Sequence, residues 1–566
     1  MRRFSFSAAL IGLAGLPVAA VAATPAANTT KAVVPATKSV PAVKSSSEGA
    51  PAAASIPLAP AVLGPRPRIN PKVEPTAATK LSPGIRDLSA PNSLALPTKP
   101  EMVRIQQLRP LSLAEILNLA EVNNPNLKAI GSQVDQAKSN LRSQLAQWYP
   151  TLSLSAAALP SYTTGESSRQ VGGAATTSGK IARDGFDATL SAQYALINPQ
   201  RVPLVAAARD QYEKAKFQYI VSLRDLRLQA AQAYFDLQQA DDQVRIGQES
   251  VRASLVSLRD SKARFQAGVA TKLEVLEAET QLARDQQLLA NGLAAQSIAR
   301  RALAALLDLP FGVTPTAKDV SRVVGVWNAS LSESIVAAYS FREELDQAIL
   351  DISIANSQAN SALGAIQPFL SVFTNFGYNQ FSGQSGDVTG IQTSGNQYET
   401  TFGAKLSWSI FDGGAAAASS RQSKQLAQQN RYQFAQKRDA IRQEVETSFY
   451  ELEKNNRDII TTSREVISAR EALRLARLRF QAGVTTQREV VDNQRDLTQA
   501  EVRYSTAVTD YNKRLVELSR RTGLNQVMAC SAPTLSAVKP VGASDVPVEP
   551  TPLIPACSAA ASGAVF

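Results

Sequence analysis

A seven-residue apolar spacing dominates the long middle of this chain. Leu223, Ala230, Leu237, Val244, Val251, Leu258 and Phe265 form one series, and Val445, Leu452, Ile459, Val466, Leu473 and Phe480 a second. Such a repeat predicts helices wound as a left-handed coiled coil, over about residues 200–266 and 413–481. At 1.5 Å per residue each extends about 100 Å, which suits a bundle or tube rather than a globular core. Between the helical stretches the pattern changes to alternation. Phe186, Ala188, Leu190, Ala192, Tyr194 and Leu196 alternate with polar or small residues, as do Tyr398, Phe402, Ala404, Leu406, Trp408 and Ile410. Leu370, Val372, Phe376 and Tyr378 do so more roughly, and Leu152 and Leu154 most weakly. Strands are expected at about 150–160, 185–197, 368–380 and 398–411. Period two over about ten residues, with aromatics near the ends, fits a membrane-spanning β-strand. A soluble amphipathic strand is the alternative for any one of them, but four such strands have no soluble sheet to join. An uninterrupted apolar run of about 18 residues is absent after the N-terminal segment, so no helical span is expected. Four strands do not close a barrel, and an open edge in lipid strands its backbone polar groups. The missing partners must come from other copies of the chain.

The middle of the chain is also a duplication. Arg264-Phe265-Gln266-Ala267-Gly268-Val269 returns 215 residues later as Arg479-Phe480-Gln481-Ala482-Gly483-Val484. Thr271, Glu274, Val275 and Leu282 return at the same lag as Thr486, Glu489, Val490 and Leu497. At a lag of 218, Leu113, Glu115, Leu127, Pro150, Leu152 and Ser153 return as Leu331, Glu333, Leu345, Pro368, Leu370 and Ser371. Two repeats follow, at 111–328 and 329–528. In each, a helix leads into a hairpin of strands, then a very long helix, a glycine turn and a returning helix.

Composition separates the ends from this middle. Of 30 prolines, sixteen fall in residues 1–110 and six in 529–566. Residues 1–110 hold 13 Lys/Arg against 4 Asp/Glu, and the remaining 456 residues hold 46 against 44, so +9 of the net charge of +11 lies in the N-terminal region. A nucleic-acid-binding body is not implied. Arg2 and Arg3, the apolar stretch Ala8–Leu16 and Ala20-Val21-Ala22 have the form of a secretory signal over residues 1–22. Residues 23–110 read as a disordered Pro/Ala-rich linker and 529–566 as a Pro-rich tail. Cys530 and Cys557 lie in that tail, where they pair with each other or stay idle. The absence of histidine removes Ser-His-Asp, Cys-His and His-zinc chemistry. No cofactor or metal is expected.

Leu113 to Pro125, the junction Trp408-Ser409-Ile410-Phe411-Asp412-Gly413-Gly414 and both Gly-Val-x-Thr turns occur in order within the two repeats. In these features the chain resembles the TolC outer-membrane channel family from about Leu111 to Gly523. The resemblance implies an α+β membrane protein in which each chain is one protomer of a trimer. Three protomers would give a 12-stranded β-barrel continuous with a 12-helix coiled-coil tunnel in the periplasm. It further implies a homotrimeric exit duct in the outer-membrane lipid, working with a periplasmic adaptor (membrane fusion) protein and an inner-membrane pump. That duct would serve efflux or type I secretion of small molecules or proteins.

The turns built by Arg264, Gly268, Val269 and by Arg479, Gly483, Val484 would then form the periplasmic tip and dock the adaptor. Glu489 and Asp492 fall where the family places acids at its pore constriction, and three copies would stack two acidic rings there. Glu274 and Glu277 are the secondary pair from the first repeat. By composition alone, acids spaced i, i+3 are a solvated helix face. The family's best-known member has tyrosine and arginine where this chain has Phe480 and Thr485. That polar lock is therefore missing, with Arg479 and Arg488 as neighbouring substitutes. Two other readings differ in class. A soluble periplasmic coiled-coil scaffold or adaptor explains the heptads but not the strands. An enzyme using paired carboxylates lacks a substrate pocket around its acids.

Overall fold

A computed structural model describes residues 77–105, 107–170, 176–384, 392–524 and 527–529. The elements are α1 (Pro100–Val103), β1 (Gln107–Leu111), α2 (Leu113–Asn123), α3 (Pro125–Leu145), β2 (Thr151–Gln170), β3 (Thr176–Ile197), α4 (Arg201–Gln266) and α5 (Lys272–Leu306). They continue with β4 (Val313–Ala317), β5 (Gly325–Trp327), α6 (Leu331–Phe341), α7 (Glu343–Gly364), β6 (Phe369–Gln384), β7 (Gln392–Ser407), α8 (Ala415–Gln481), α9 (Gln487–Thr522) and β8 (Val527–Ala529). The duplication reaches down to the caps. Ser112 with Glu115 and Ser330 with Glu333 make the same capping box at the starts of α2 and α6.

Helices α4 and α8 are 66 and 67 residues long. Each doubles back on a shorter helix, α4 on α5 and α8 on α9, while α7 packs against both long helices. The seven-residue seam is buried along most of α8, from Val445 through Leu473. On α4 it is buried from Leu223 to Val244 and then loosens, leaving Phe265 exposed. The apolar core has two main clusters, one for each repeat. Leu111, Ile116, Leu119, Leu223, Tyr234, Phe235, Leu303 and Leu307 form its first-repeat half, and Ile441, Val445, Tyr511, Leu515 and Leu518 its second.

The four long strands make one antiparallel sheet in the order β2-β3-β6-β7, leaving β2 and β7 as its edges. The register gathers most apolar side chains on one face and most polar ones on the other. Leu154 pairs with Leu190, Leu190 with Phe376, and Phe376 with Thr400. Tyr194 pairs with Val372, which pairs with Ala404. The same face carries Tyr378 and Tyr398, their rings 5.1 Å apart. Ser153, Ser191, Asn375 and Thr401 align on the opposite face. A mainly apolar and a mainly polar face across four strands, with Phe373 and Phe381 the aromatic exceptions on the polar side, fit a barrel wall between lipid and lumen. The strands differ from the expected bounds. The first continues to Gln170 because Ser161–Gln170, though mostly polar, stays paired to Thr176–Gly185. The last stops at Ser407, where Trp408 turns its ring nitrogen to the Ile366 carbonyl at 3.1 Å.

The linker expectation for 23–110 is corrected for the described residues 77–105 and 107–110. Pro83–Leu88 forms a 3-10 turn that sinks Ile85 and Leu88 into the first-repeat core, each 1 % exposed. Side chains of α2 hold this strap along its length. Glu121 accepts from the Ala78 amide at 2.7 Å, Asn118 from Ser82 at 3.0 Å, and Asn123 donates to the Leu88 carbonyl at 2.8 Å. The strap ends in β1, which pairs in parallel with β4. The expected signal, and Cys530 and Cys557, lie outside the described residues.

Where the two repeats meet, an ion-pair network has a buried centre of Arg224, Arg342, Arg520, Glu343 and Glu344, with Glu444 and Asp225 partly exposed at its rim. Arg224 pairs with Glu343 at 2.7 Å, Arg342 with Glu344 at 2.9 Å and Glu444 at 2.6 Å, and Arg520 with Glu344 at 2.8 Å and Asp225 at 2.6 Å. It joins α4, α7, α8 and α9. Burial and the nearby Glu343 and Glu344 push the Asp346 carboxyl up to about 7. The folded state therefore holds a proton there that the unfolded chain releases near pH 4, so this group's contribution to stability falls between pH 4 and 7. Asp346→Asn is expected to raise the thermal midpoint at pH 8 by the equivalent of roughly 2–4 kcal/mol, with almost no change at pH 4. Equal gains at both pH values would contradict the burial argument.

Candidate functional site at the helical tip

Each long helix ends in the same glycine turn. The Val269 amide donates to the Arg264 carbonyl at 3.0 Å and the Gly268 amide to Phe265 at 3.0 Å. Val484 with Arg479 and Gly483 with Phe480 repeat this at 2.9 and 3.0 Å. These paired bonds satisfy the last helical carbonyls and need a left-handed residue, and Gly268 and Gly483 both have φ of +73°. A Cβ at either glycine meets nothing within 4 Å, so a larger residue there is opposed by backbone strain rather than by collision. Val269 and Val484 stand about two-thirds exposed at the two apices.

The acids beyond the turns have different partners in the two repeats. Glu274 reaches back to Thr271 and completes a capping box at the start of α5. Its counterpart Glu489 leaves Thr486 uncapped and closes the other hairpin, accepting from Arg479 at 2.8 Å and from the Thr485 hydroxyl. Ala270 replaces that threonine in the first repeat, which removes the second donor. Glu277 crosses to the other hairpin, 3.5 Å from Arg488. Asp492 faces outward with its side chain 47 % exposed, 3.5 Å from Arg495. The structure thus brings Glu489 to Arg479 and Glu277 to Arg488. Asp492 is more solvated than either Glu489 or Glu277, whose side chains are 32 % and 22 % exposed.

Phe480, the last member of the second apolar series, and several polar residues outside the series complete the tip. The Arg264 guanidinium lies over the Phe480 ring at 4.4 Å, a cation–π contact between hairpins. Gln487 donates to the Ser257 hydroxyl, and Ser250 meets Thr498 at 3.2 Å. Above these contacts a cavity of about 780 Å³ separates the hairpins, lined by Ser254, Ser257, Gln281, Phe480, Gln487 and Val490 among others. Neither Ser257 nor Gln487 stands at a position of the apolar series, and Gln487 matches the equally polar Lys272 of the first repeat, so no sequence pattern marked them.

At the opposite end of α8, the Asp412 carboxylate accepts from the Ala416 and Gly414 amides at 2.7 and 2.8 Å. These two bonds hold its pKa below the usual carboxylate range. Gly413 and Gly414 take φ of +70° and +89° to make the turn, and Phe411 beside them is exposed. Asp412-Gly413-Gly414 therefore aims the long helix away from the sheet. Among the described residues no group of three or more acidic or thiol side chains is placed to hold a metal ion.

Sequence comparison decides what such a molecule is for. The family described as outer membrane efflux protein matches residues 116–308 and 335–524, one segment for each repeat. The chain belongs to the outer membrane efflux protein family. It is an outer-membrane exit duct for efflux, with its helical tunnel in the periplasm, and the reading as a soluble scaffold or adaptor falls with that membership. This efflux protein is similar in fold to CusC, at 21 % identity and a TM-score of 0.61, over 76 % of this chain and 96 % of that one. A membrane protein from Pseudomonas aeruginosa matches at 21 % identity and 0.60, over 72 % and 93 %. The Vibrio cholerae outer membrane protein VceC matches at 17 % and 0.58, over 73 % and 96 %. None of the curated proteins matches the sequence. The family is one of channels rather than enzymes, and the paired tip carboxylates are engaged by arginine, threonine and a helix cap.

Proposed function

We propose that three copies of this efflux protein assemble one duct, with twelve strands in a shared barrel and twelve helices in the tunnel. The observation that carries this reading is the four-stranded sheet with its two unpaired edges, β2 and β7. An edge facing hydrocarbon leaves N–H and C=O groups without water or partner, whereas pairing β7 of one copy with β2 of the next removes both edges. Three such joins close twelve strands, in keeping with the family. The tip faces the periplasm, and its two apices around Gly268–Val269 and Gly483–Val484, with Arg264 and Arg479 behind them, are the docking surface for an adaptor protein linked to an inner-membrane pump. The pump sets the cargo, small molecule or protein.

Glu489 and Asp492 ring the constriction in this reading, with Glu274 and Glu277 contributing less. Glu489 is drawn to Arg479 at 2.8 Å, whereas Asp492 has only the longer 3.5 Å contact with Arg495 on its own helix and is the more solvated of the two charges. A multivalent cation added to the periplasmic side is expected to block current through reconstituted channels, because six carboxylates concentrate positive charge in a narrow, water-poor passage. Asp492→Ala should remove most of the block and Glu489→Ala less, the double substitution leaving almost none. Equal block in wild type and the double variant would place the constriction elsewhere.

A further inference from the structure

The duplication pairs α2 with α6, but only one of the two helices carries a covering segment. Both are 11 residues long, and each residue of α6 stands 218 positions after its counterpart in α2. On α2, Asn118 and Glu121 hold the strap by accepting from the Ser82 and Ala78 amides. Their counterparts on α6 are Val336 and Tyr339. Neither offers the side-chain carbonyl or carboxylate that holds the strap on α2. Spaced i, i+3 on one face, they lie 43 % and 37 % exposed. The second repeat thus presents an apolar surface where the first repeat is covered.

The strap has uncovered apolar surface of its own. Asn123 accepts from the Ala90 amide at 3.2 Å, and further on the Gln107 amide donates to the Gly312 carbonyl, also at 3.2 Å. Between these anchors the chain forms an arch in which Leu94 and Leu96 are 90 % and 81 % exposed, and Met102, Val103 and Ile105 about half. One exposed leucine is ordinary, but a run of five large apolar side chains in water marks a contact surface. Pro91, Pro97 and Pro100 restrict the arch, which lowers the entropy lost when it docks.

Both surfaces are exposed in the single chain, so the arch does not cover its own α6. In a closed ring of three chains the two kinds of repeat alternate. Each first repeat then has a second repeat on both sides, one its own and one belonging to the next copy. We propose that the arch, about residues 91–105, seats Leu94 and Leu96 on Val336 and Tyr339 of the neighbouring copy and clasps the ring at the level of α2 and α6. The clasp rests on the three-copy reading and adds a contact that the sheet edges do not supply. Its arch lies ahead of the residues that match the family.

Crosslinking of the full-length protein in isolated outer membranes tests it. On a background of Cys530→Ser and Cys557→Ser, Leu96→Cys is combined with Tyr339→Cys and treated with a short bis-maleimide. Covalent dimers and trimers are expected on a denaturing gel, and neither single substitution should yield them. A chain bearing only Leu96→Cys, assembled with one bearing only Tyr339→Cys, should give linked dimers, which fixes the link as one between copies. No link, or a link confined to one chain, in particles with the mass of three chains would overturn the clasp and leave the duct reading standing. A folded single chain would overturn both. Leu94→Asp combined with Leu96→Asp removes the apolar contact without touching the core, because both side chains are exposed in the single chain. Exchange of subunits between tagged and untagged particles should quicken at least about tenfold in that variant. Val336→Asn with Tyr339→Glu, which installs the residues of α2, should do the same. Unchanged exchange in both variants would overturn the proposal.

Discussion

Replacing Arg520 with alanine is expected to destabilise the protein by about 3–5 kcal/mol, as removal of one partner from a buried ion pair does. Arg520 is the hub of the network, contacting Glu344 on α7 and Asp225 on α4 from its own place on α9. Its loss leaves Glu344 buried with Arg342 alone, in a region where Glu343 already has an unpartnered buried oxygen. The thermal unfolding midpoint of the detergent-solubilised protein is the measurement. Arg503→Ala is the control, because Arg503 and Glu465 are each nearly half exposed and such pairs contribute roughly 0–1 kcal/mol. Similar losses in the two variants would mean that the network does not join the repeats. The network also makes the protein sensitive to acid. Its hydrogen bonds and charges hold Glu344 far below the usual carboxylate range. Its contribution is thus present above pH 4.5 and is lost as the pH falls well below that value, opposite in sign to Asp346.

The strap gives the second large effect. Ile85→Ala and Leu88→Ala are each expected to cost about 2–5 kcal/mol, since both side chains fill the first-repeat core. Deleting residues 77–111 should prevent assembly altogether, because it uncovers Ile116, Leu119, Leu223 and Tyr234 and leaves β4 without β1. Deleting residues 24–76 should leave assembled protein in the outer membrane, as that stretch carries proline and positive charge but no apolar period. Outer-membrane fractionation of the two deletions distinguishes them. Assembly of the 77–111 deletion would show that the strap is an accessory rather than part of the fold.

Much of this architecture was legible as periodicity. The heptads that run from Leu223 and from Val445 mark helices of 66 and 67 residues, and alternation marks the apolar face of the sheet. Periodicity misses whatever is not amphipathic. Ser161–Gln170 belongs to β2 through backbone pairing alone, which no hydrophobic pattern records. Ile85 and Leu88 form a single apolar pair among prolines, too short to register as a period. At the tip, sequence located the turns and the acids but not their partners. Arg479 lies ten residues from Glu489, and Glu277 is more than 200 from Arg488, so only the packing of the hairpins decides these pairs.

The central claim is that one chain supplies a third of a barrel. The mass of the folded protein in detergent, with bound detergent subtracted, tests this most directly. Three copies per particle, with no folded single chain on dilution, are expected. A stable, folded monomer with its strands intact would contradict the account, because β2 and β7 would then have found a way to exist without partners.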